Sequence, residues 1–189
     1  INRRDFLKFG AITATGATVG MGIGKAFMAS AATPSVEPVY RTLGRTGLKV
    51  AIVSFGAMLT PEHEVMEQAF DMGINYVDTA RRYMGGRNEE IVGRALKGRR
   101  NKVYLATKTV SSSSSKKDIF SDVETSLSKL KTDYIDVIQL HNLSGKERAF
   151  DPETREALLE LRKQGKVRFF GITTHTNQAD ILNALADDQ

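Results

Sequence analysis

The sequence predicts an α/β fold: a TIM-type (β/α)8 barrel, of which the N-terminal hairpin and about five βα units are present. Short apolar runs that suit buried parallel strands alternate with amphipathic helical stretches. The strand starts recur about every 24 to 33 residues, which is the length of one βα unit. An open, doubly wound sheet is the alternative, but no Gly-x-Gly-x-x-Gly loop follows the first strand.

The chain first predicts a hairpin and one βα unit. In YRTLGRTGLKV, two short strand-like runs flank a Gly-Arg-Thr-Gly turn. VAIVSFG, residues 50–56, is then expected to be the first strand of the sheet. Thr60 and Pro61 are expected to cap a helix that ends at Gly73. Its inward face is expected to carry Val65, Met66, Ala69 and Phe70.

Four further units follow with the same alternation. The predicted strands are NYVDT, VYLATK, DYIDVIQLH and VRFFGITT, and the helices begin at Asn88, near Asp118, at Pro152 and at Asn177. Residues 111–115, all serine, are expected to form a solvated loop. Each helix carries an apolar stripe at helical spacing, so each can pack on the sheet.

Residues 1–31 are predicted to be an export signal of the twin-arginine type. The pair Arg3 and Arg4 precedes a segment rich in Gly, Ala and Thr, and residues 29–31 (Ala-Ser-Ala) form a small-residue cleavage pattern. The sequence therefore predicts a bacterial protein that the export machinery delivers to the periplasm or another extracytoplasmic site. The segment is too rich in Gly and Thr for a confident membrane span, so no stable span is expected after cleavage.

Composition limits the functions of the remaining chain. Residues 32–39 are the predicted linker to residues 40–189, the N-terminal part of the barrel. The formal net charge is +5 at pH 7, much of it in the predicted signal. No cluster of basic and aromatic residues stands out, so a nucleic acid partner is not expected. The absence of Cys excludes disulfides and thiolate metal sites, and no metal site is predicted.

Ionisable side chains stand at the ends of the apolar strands. Asp78 lies near the end of NYVDT, Lys108 ends VYLATK and His141 ends DYIDVIQLH, while Tyr83 lies five residues after Asp78. In an α/β barrel the strand C-termini meet at one face, where the chemistry is placed. These four residues are therefore predicted to form a proton-transfer site.

From about Tyr40 to Ala186 the chain resembles the aldo-keto reductase family. The matching stretches, in order, are YRTLGRTGLKV, VSFGAM, GINYVDTARRY, GRNEEIVGRAL, VYLATK, SLSKLKTDYIDVIQLH and LRKQGKVRFFGIT. The resemblance implies an eight-stranded barrel with the hairpin plugging its N-terminal end. It also implies reversible reduction of a small carbonyl, or oxidation of an alcohol, with NADP(H) and possibly NAD(H).

The resemblance assigns the family's catalytic tetrad to Asp78, Tyr83, Lys108 and His141. Tyr83 would be the general acid or base. An ordinary phenol holds its proton at neutral pH, and the Lys108 ammonium would stabilise the phenolate. Asp78 would keep Lys108 charged and oriented, and His141 would hydrogen-bond the substrate carbonyl oxygen.

The same resemblance implies a set of cofactor-binding residues: Gly56, Ala57, Met58, Asp78, Thr173 and Thr174. The first three match a loop that faces the nicotinamide, and Asp78 would touch its ribose. The two threonines stand where many members have Ser-Asn binding the carboxamide. Arg81 and Arg82, beside Tyr83, are expected to be a solvated pair rather than a site for an anionic substrate.

Two other functions stay open. The chain could be a non-catalytic nucleotide-binding sensor or regulatory subunit on the same barrel, although such a protein would not need Tyr83. It could also be an unrelated barrel enzyme such as a sugar hydrolase, which would need paired carboxylates. Because a (β/α)8 barrel takes about 250 residues, the sequence is expected to be truncated at its C-terminus. Residues 40–189 alone are expected to fold poorly and to be inactive.

Overall fold

The computed structural model describes residues 37–110, 112–113 and 115–187. The predicted signal at residues 1–31, and residues 32–36 of the predicted linker, lie outside the described residues. Within them the strands are β1 (Tyr40–Thr42), β2 (Lys49–Ala51), β3 (Phe55–Gly56), β4 (Tyr76–Asp78), β5 (Tyr104–Lys108), β6 (Ile135–Leu140) and β7 (Val167–Ile172). The helices are α1 (His63–Asp71), α2 (Asn88–Ala95), α3 (Lys116–Leu130), α4 (Glu147–Phe150), α5 (Pro152–Lys163) and α6 (Gln178–Asp187).

The strands β3 to β7 form one parallel sheet whose spatial order is the order of the sequence. A doubly wound sheet would reverse its strand order at a switch point, and no reversal occurs among the described strands. This arrangement is that of the first five units of a (β/α)8 barrel. The predicted fold class is therefore confirmed.

The prediction of one strand across residues 50–56 is wrong. β2 pairs antiparallel with β1 as the second arm of the hairpin, and the sheet begins only at β3. Between them, Ile52 and Val53 are 58% and 64% exposed. An apolar run does not by itself distinguish a buried strand from an exposed connection. The sequence therefore shows no sign that the run is divided between β2 and β3.

The first helix also differs from its prediction. α1 begins at His63, two residues after Pro61, and its N-cap residue Glu62 makes no capping side-chain hydrogen bond. Val65, expected to face inward, is 46% exposed. Met66 and Ala69, expected on the same face, are buried, with exposed fractions of 0% and 9%.

Two later helices begin where their sequences indicate. The Ser115 hydroxyl accepts from the backbone N–H of Asp118 at 3.1 Å and opens α3 as a capping box. The Asp151 carboxylate accepts from the backbone N–H of Thr154 at 2.7 Å, with Pro152 in the first position of α5. These caps fix the orientation of the helices that cover the sheet. None of the described helices is long and apolar enough to cross a membrane.

The hairpin covers the N-terminal end of the sheet. Leu48 packs with Ala106 and Val137 on the sheet face opposite the helices. The Asn75 side chain accepts from the Ala51 N–H at 2.9 Å and donates to the Lys49 carbonyl at 2.8 Å. Because this end is closed by the hairpin, the C-terminal end of the strands is left for a ligand.

Candidate active site

The C-terminal ends of the strands carry the predicted catalytic side chains. Asp78 is the last residue of β4, Lys108 is the last residue of β5, and His141 directly follows β6. Tyr83 begins a short 3-10 turn after β4. Because parallel strands end at the same edge of a sheet, the four residues share one end of it.

Lys108 is the centre of this group. It is 4% exposed, pairs with the Asp78 carboxylate and donates to the Thr79 carbonyl at 2.8 Å. Its Nζ lies 4.8 Å from the centroid of the Tyr83 ring. At this distance the ammonium makes a cation–π contact with the Tyr83 ring.

His141 completes the group. Its ring meets the Tyr83 ring edge to face, with centroids 6.0 Å apart and planes at 81°. Burial, followed by the neighbouring Lys108 cation, lowers the pKa of His141 below its usual value, and the Asp78 carboxylate only partly opposes this. The ring is therefore neutral at neutral pH and can donate one hydrogen bond. Its Nδ1 is buried without a hydrogen-bond partner in the described part of the chain.

The turn that carries Tyr83 has an unusual backbone. Met84, Gly85 and Gly86 have φ angles of 52°, 65° and 87°. Glycine adopts this left-handed region without cost, but methionine does so with strain. The turn is held at its base by the Tyr83 N–H, which donates to the Ala80 carbonyl at 3.1 Å.

Asn88, at the start of α2, holds the same turn through hydrogen bonds of its side chain. It is fully buried, and its amide nitrogen donates to the Ala57 carbonyl at 2.8 Å and to the Met84 sulfur at 3.3 Å. Its amide oxygen accepts from the Thr79 hydroxyl at 2.6 Å. Three separate segments near the site therefore meet at one buried side chain.

The expectation of a solvated arginine pair is wrong for Arg81. Its side chain is 15% exposed, lies 3.0 Å from the Glu89 carboxylate and lies 3.6 Å from the Asp122 carboxylate. Arg82 is exposed as expected. The sequence concealed the ion pair because Arg81 and Glu89 are joined across a turn, at no helical or strand period.

Glu89 connects the turn to the neighbouring strand. Its carboxylate has no exposed surface and accepts from the Thr107 hydroxyl at 2.7 Å while it binds Arg81. Thr107 directly precedes Lys108, and Arg81 lies two residues before Tyr83. One buried carboxylate therefore joins the segments that carry the proposed acid and its stabilising cation.

The loop after β3 offers open surface beside Asp78. Gly56 has nothing within 4 Å of the position that a Cβ would occupy, and Met58 is 47% exposed. Ala57 is fully buried, and its N–H donates to the Asp78 carbonyl at 2.9 Å. Gly56 and Met58 can thus meet a ligand directly, whereas Ala57 aligns the loop.

The two predicted threonines brace the segment that carries His141. The Thr173 hydroxyl accepts from the Asn142 N–H at 2.8 Å, and its backbone N–H and carbonyl bond Leu140 and Leu143 on either side. The Thr174 hydroxyl donates to the Leu143 carbonyl at 2.7 Å. Contact of either residue with a cofactor remains a prediction. The hydroxyl proton of Thr174 is already used in the hydrogen bond to Leu143, so this hydroxyl could only accept from a cofactor.

Gln139 is a candidate that the sequence analysis missed. It pairs in register with Lys108 and lies two residues before His141, on the inner face with Val137. Its side-chain oxygen is buried and has no hydrogen-bond partner among the described residues. An unsatisfied buried acceptor costs about 1–3 kcal/mol, which a ligand N–H would recover. The two-residue alternation counted back from His141 is the signal that could have found it.

Comparison with known proteins now identifies the family. A model described as the aldo/keto reductase family matches residues 60–188, more than half of the chain. The chain belongs to the aldo/keto reductase family. Its sequence is 38% identical over 149 residues to the uncharacterized oxidoreductase YqkF of Bacillus subtilis (strain 168), covering 71% of this chain and 48% of that protein.

Two further similar proteins carry different names. A putative voltage-gated potassium channel subunit beta of Schizosaccharomyces pombe is 34% identical over 173 residues, covering 76% of this chain and 48% of that one. The solved structure of aldo-keto reductase AKR11C1 from Bacillus halodurans (holo form) aligns with a TM-score of 0.65 at 38% identity, covering 72% of this chain and 50% of that chain. The chain thus spans about half the length of the curated relatives that it matches.

Proposed function

We propose that this aldo/keto reductase chain supplies the proton-transfer site of an oxidoreductase. The reaction would move a hydride between NADP(H), or NAD(H), and a small carbonyl or alcohol substrate. The observation that supports this most strongly is the buried Lys108 ammonium, paired with Asp78 and 4.8 Å from the Tyr83 ring. A cation so placed has a clear use beside a phenol that must gain and lose a proton.

The residues at this end of the sheet fit a nicotinamide. When bound, the nicotinamide would supply or accept the hydride. Gly56 and Met58 would face its ring, Asp78 its ribose, and Thr173 and Thr174 its carboxamide, with Ala57 holding the loop in place. The open surface at Gly56 and the unpaired oxygen of Gln139 support the fit of a flat, amide-bearing group.

The side chains of this chain would handle the proton. Carbonyl reduction leaves negative charge on the substrate oxygen. Neutral His141 would donate a hydrogen bond to that oxygen, and Tyr83 would give it a proton. Lys108 would stabilise the resulting phenolate, and Asp78 would keep the ammonium in position. For alcohol oxidation, the same groups would act in the reverse order.

A tyrosine substitution tests this proposal. In the purified full-length protein, Tyr83→Phe should lower turnover of a generic aldehyde by about 100- to 10,000-fold and leave NADPH affinity, measured by fluorescence titration, unchanged. Tyr134→Phe is the matched control, because Tyr134 stacks on Arg100 at 3.8 Å, near the N-terminal end of the sheet. Wild-type protein that bound neither NADPH nor NADH would contradict the proposal.

A second function is favoured by one relative. Similarity to a protein named as a potassium channel subunit beta supports a non-catalytic sensor or regulatory subunit that binds a nucleotide on the same barrel. The same experiment separates the two functions. A sensor would bind the nucleotide, reduce no aldehyde, and be unaffected in either property by Tyr83→Phe.

We also propose export of the protein by a twin-arginine-type signal at residues 1–31. A diffusible NADPH pool is not expected outside the bacterial cytoplasm, so the nicotinamide would have to be loaded before export and held tightly. Replacing both arginines, Arg3→Lys and Arg4→Lys, should retain the protein in the cytoplasm in cell fractionation. Unchanged distribution between the fractions would remove this part of the proposal.

A further inference from the structure

The N-terminal end of the sheet carries exposed cations that have no ion-pair partner in the described part of the chain. They lie on the hairpin, at the end of α2 and in the connections that lead into β5 and β6. None of them forms an ion pair within the described residues. These residues, called the basic face below, are Arg41, Arg45, Lys49, Arg94, Lys97, Lys102 and Lys131.

Five of the seven members of the basic face line two adjoining cavities. A cavity of about 600 Å³ lies between Lys49 and Lys102, with Tyr40 and Tyr104 also in its wall. Gly98 lines this cavity and also a neighbouring one of about 380 Å³. The wall of the second cavity contains Arg94, Lys97 and Lys131.

Several carboxylates at this end are already neutralised. Asp71 pairs with Arg99 at 2.7 Å. Asp136 is 1% exposed and pairs with Arg100 at 2.8 Å and with Arg168 at 2.6 Å. Two exposed carboxylates form no ion pair among the described residues: Glu37, just before the hairpin, and Asp133, in the connection into β6. The seven cations of the basic face therefore keep an excess of positive charge, which attracts a polyanion.

Exposed apolar side chains accompany the cations. Val39, Tyr40 and Leu43 of the hairpin are 54%, 44% and 38% exposed, and Met72, in the connection that the hairpin packs on, is 73% exposed. Lysine and arginine beside exposed aliphatic and tyrosine side chains are typical of a surface that meets lipid headgroups and the upper acyl region. Duplex nucleic acid, by contrast, has no contact to offer to aliphatic side chains outside its grooves.

We infer that the basic face binds the surface of an anionic lipid bilayer, with a lipid phosphate in the cavity between Lys49 and Lys102. Each Lys or Arg near such a surface adds attraction that falls off within a Debye length. The proposed active site lies at the opposite end of the strands. A membrane-bound molecule would therefore present Tyr83 to the solvent, with its substrate access unobstructed.

Vesicle sedimentation with the full-length protein tests the inference. We expect binding to phosphatidylcholine vesicles that contain about 30% phosphatidylglycerol, and release when salt is raised from about 0.1 M to about 0.5 M. Binding to pure phosphatidylcholine vesicles measures the part of the affinity that does not depend on the charge of the lipid. Lys97→Glu/Lys102→Glu should weaken binding to the anionic vesicles roughly tenfold or more.

The matched control carries the same change in formal charge at the other end of the sheet. Lys117 and Lys146 are both exposed, so Lys117→Glu/Lys146→Glu should bind anionic vesicles like the wild type. Equal binding to neutral and anionic vesicles, or equal loss in the two double variants, would overturn the inference. Displacement by inorganic phosphate would assign the cavity to a free anion instead. Binding of duplex DNA without vesicle binding would assign the face to nucleic acid.

Discussion

Two cations near Tyr83 are buried and paired, whereas many cations at the other end of the same sheet are exposed and have no ion-pair partner among the described residues. Lys108 pairs with Asp78, and Arg81 pairs with Glu89. The side chains of both cations have little exposed surface. Lys97 and Lys102 are exposed and unpaired within the described residues. Paired buried charges hold geometry at short range, and unpaired exposed charges act at long range. The C-terminal end of the sheet therefore suits a reaction that needs fixed geometry, and the N-terminal end suits long-range attraction of an anionic partner.

The largest expected effect comes from removing a buried carboxylate at either end. Glu89→Gln leaves Arg81 with only the more distant Asp122 carboxylate, at 3.6 Å. Asp136→Asn leaves Arg100 and Arg168 without their shared counter-charge. Each change should therefore lower the free energy of unfolding by up to about 3–5 kcal/mol. At temperatures where both variants stay folded, only Glu89→Gln should lower aldehyde turnover, because only Glu89 connects to Tyr83 and Lys108. Urea unfolding and steady-state kinetics measure the two effects.

Glu90→Gln is the control for this pair, since Glu90 is 54% exposed and lies 3.7 Å from Lys129. Its effect on stability should stay within about 0.5 kcal/mol. If Asp136→Asn reduced turnover as much as Glu89→Gln, the claim that only the C-terminal end of the sheet affects turnover would be contradicted.

A smaller effect is expected from the threonine that braces His141. Thr173→Val removes the acceptor for the Asn142 N–H. Because that N–H is exposed and can bond water instead, the loss should cost about 0.5–1.5 kcal/mol of stability. It should also lower turnover through a less fixed His141. Thr125→Val removes a hydroxyl that bonds only the Ser121 carbonyl within α3, so turnover should be unchanged. A Thr173 variant that keeps full turnover would show that His141 does not depend on this brace.

The pH dependence of stability offers a finer comparison. The fold lowers the pKa of His141, so below about pH 6.5, the usual value, the unfolded chain binds a proton that the folded chain does not. Stability should therefore be unaffected by this group above that pH and should fall as the pH drops below it. Urea unfolding of His141→Gln between neutral and mildly acidic pH should show a smaller decline than the wild type. Identical declines would mean that His141 is as easily protonated in the fold as in the unfolded chain.

The smallest effect is expected at the basic face. Lys97→Ala removes an exposed cation without a partner, so the free energy of unfolding should change by no more than about 0.5 kcal/mol. Thermal unfolding measures this. A loss of more than 1 kcal/mol, roughly the upper limit for an exposed pair, would show that the lysine contributes to the fold rather than to long-range attraction.

The strand-end residues were predictable because two simple rules apply to them. Apolar runs indicate parallel strands, and parallel strands end at one edge, which brings Asp78, Lys108 and His141 together. Gln139 follows the same alternation, so its position could have been predicted. The pairing of Arg81 with Glu89 could not be predicted, because the two residues are joined across a turn and are not at a helical or strand spacing. The start of α1 was misplaced because a Pro suggests a helix start without fixing it.

The basic face escaped the sequence analysis for a different reason. Its members come from the hairpin and from several separate connections, and the formal net charge of the whole chain is only +5. Composition averages over the whole surface and cannot show where the charge is collected. Only the topology, which gathers the ends of the helices and the hairpin at one end of the sheet, makes the asymmetry visible.

Glu89 lies on a helix rather than on a loop, and this has an evolutionary consequence. The Tyr83 turn is fastened to α2 and to β5 through Arg81 and Thr107, independently of the loops that follow β5 and β6. Those loops can lengthen, shorten or change composition while Tyr83 and Lys108, the proposed proton donor and its cation, stay in register. A lineage built on this framework can acquire new substrates by varying the loops and keep its chemistry unchanged.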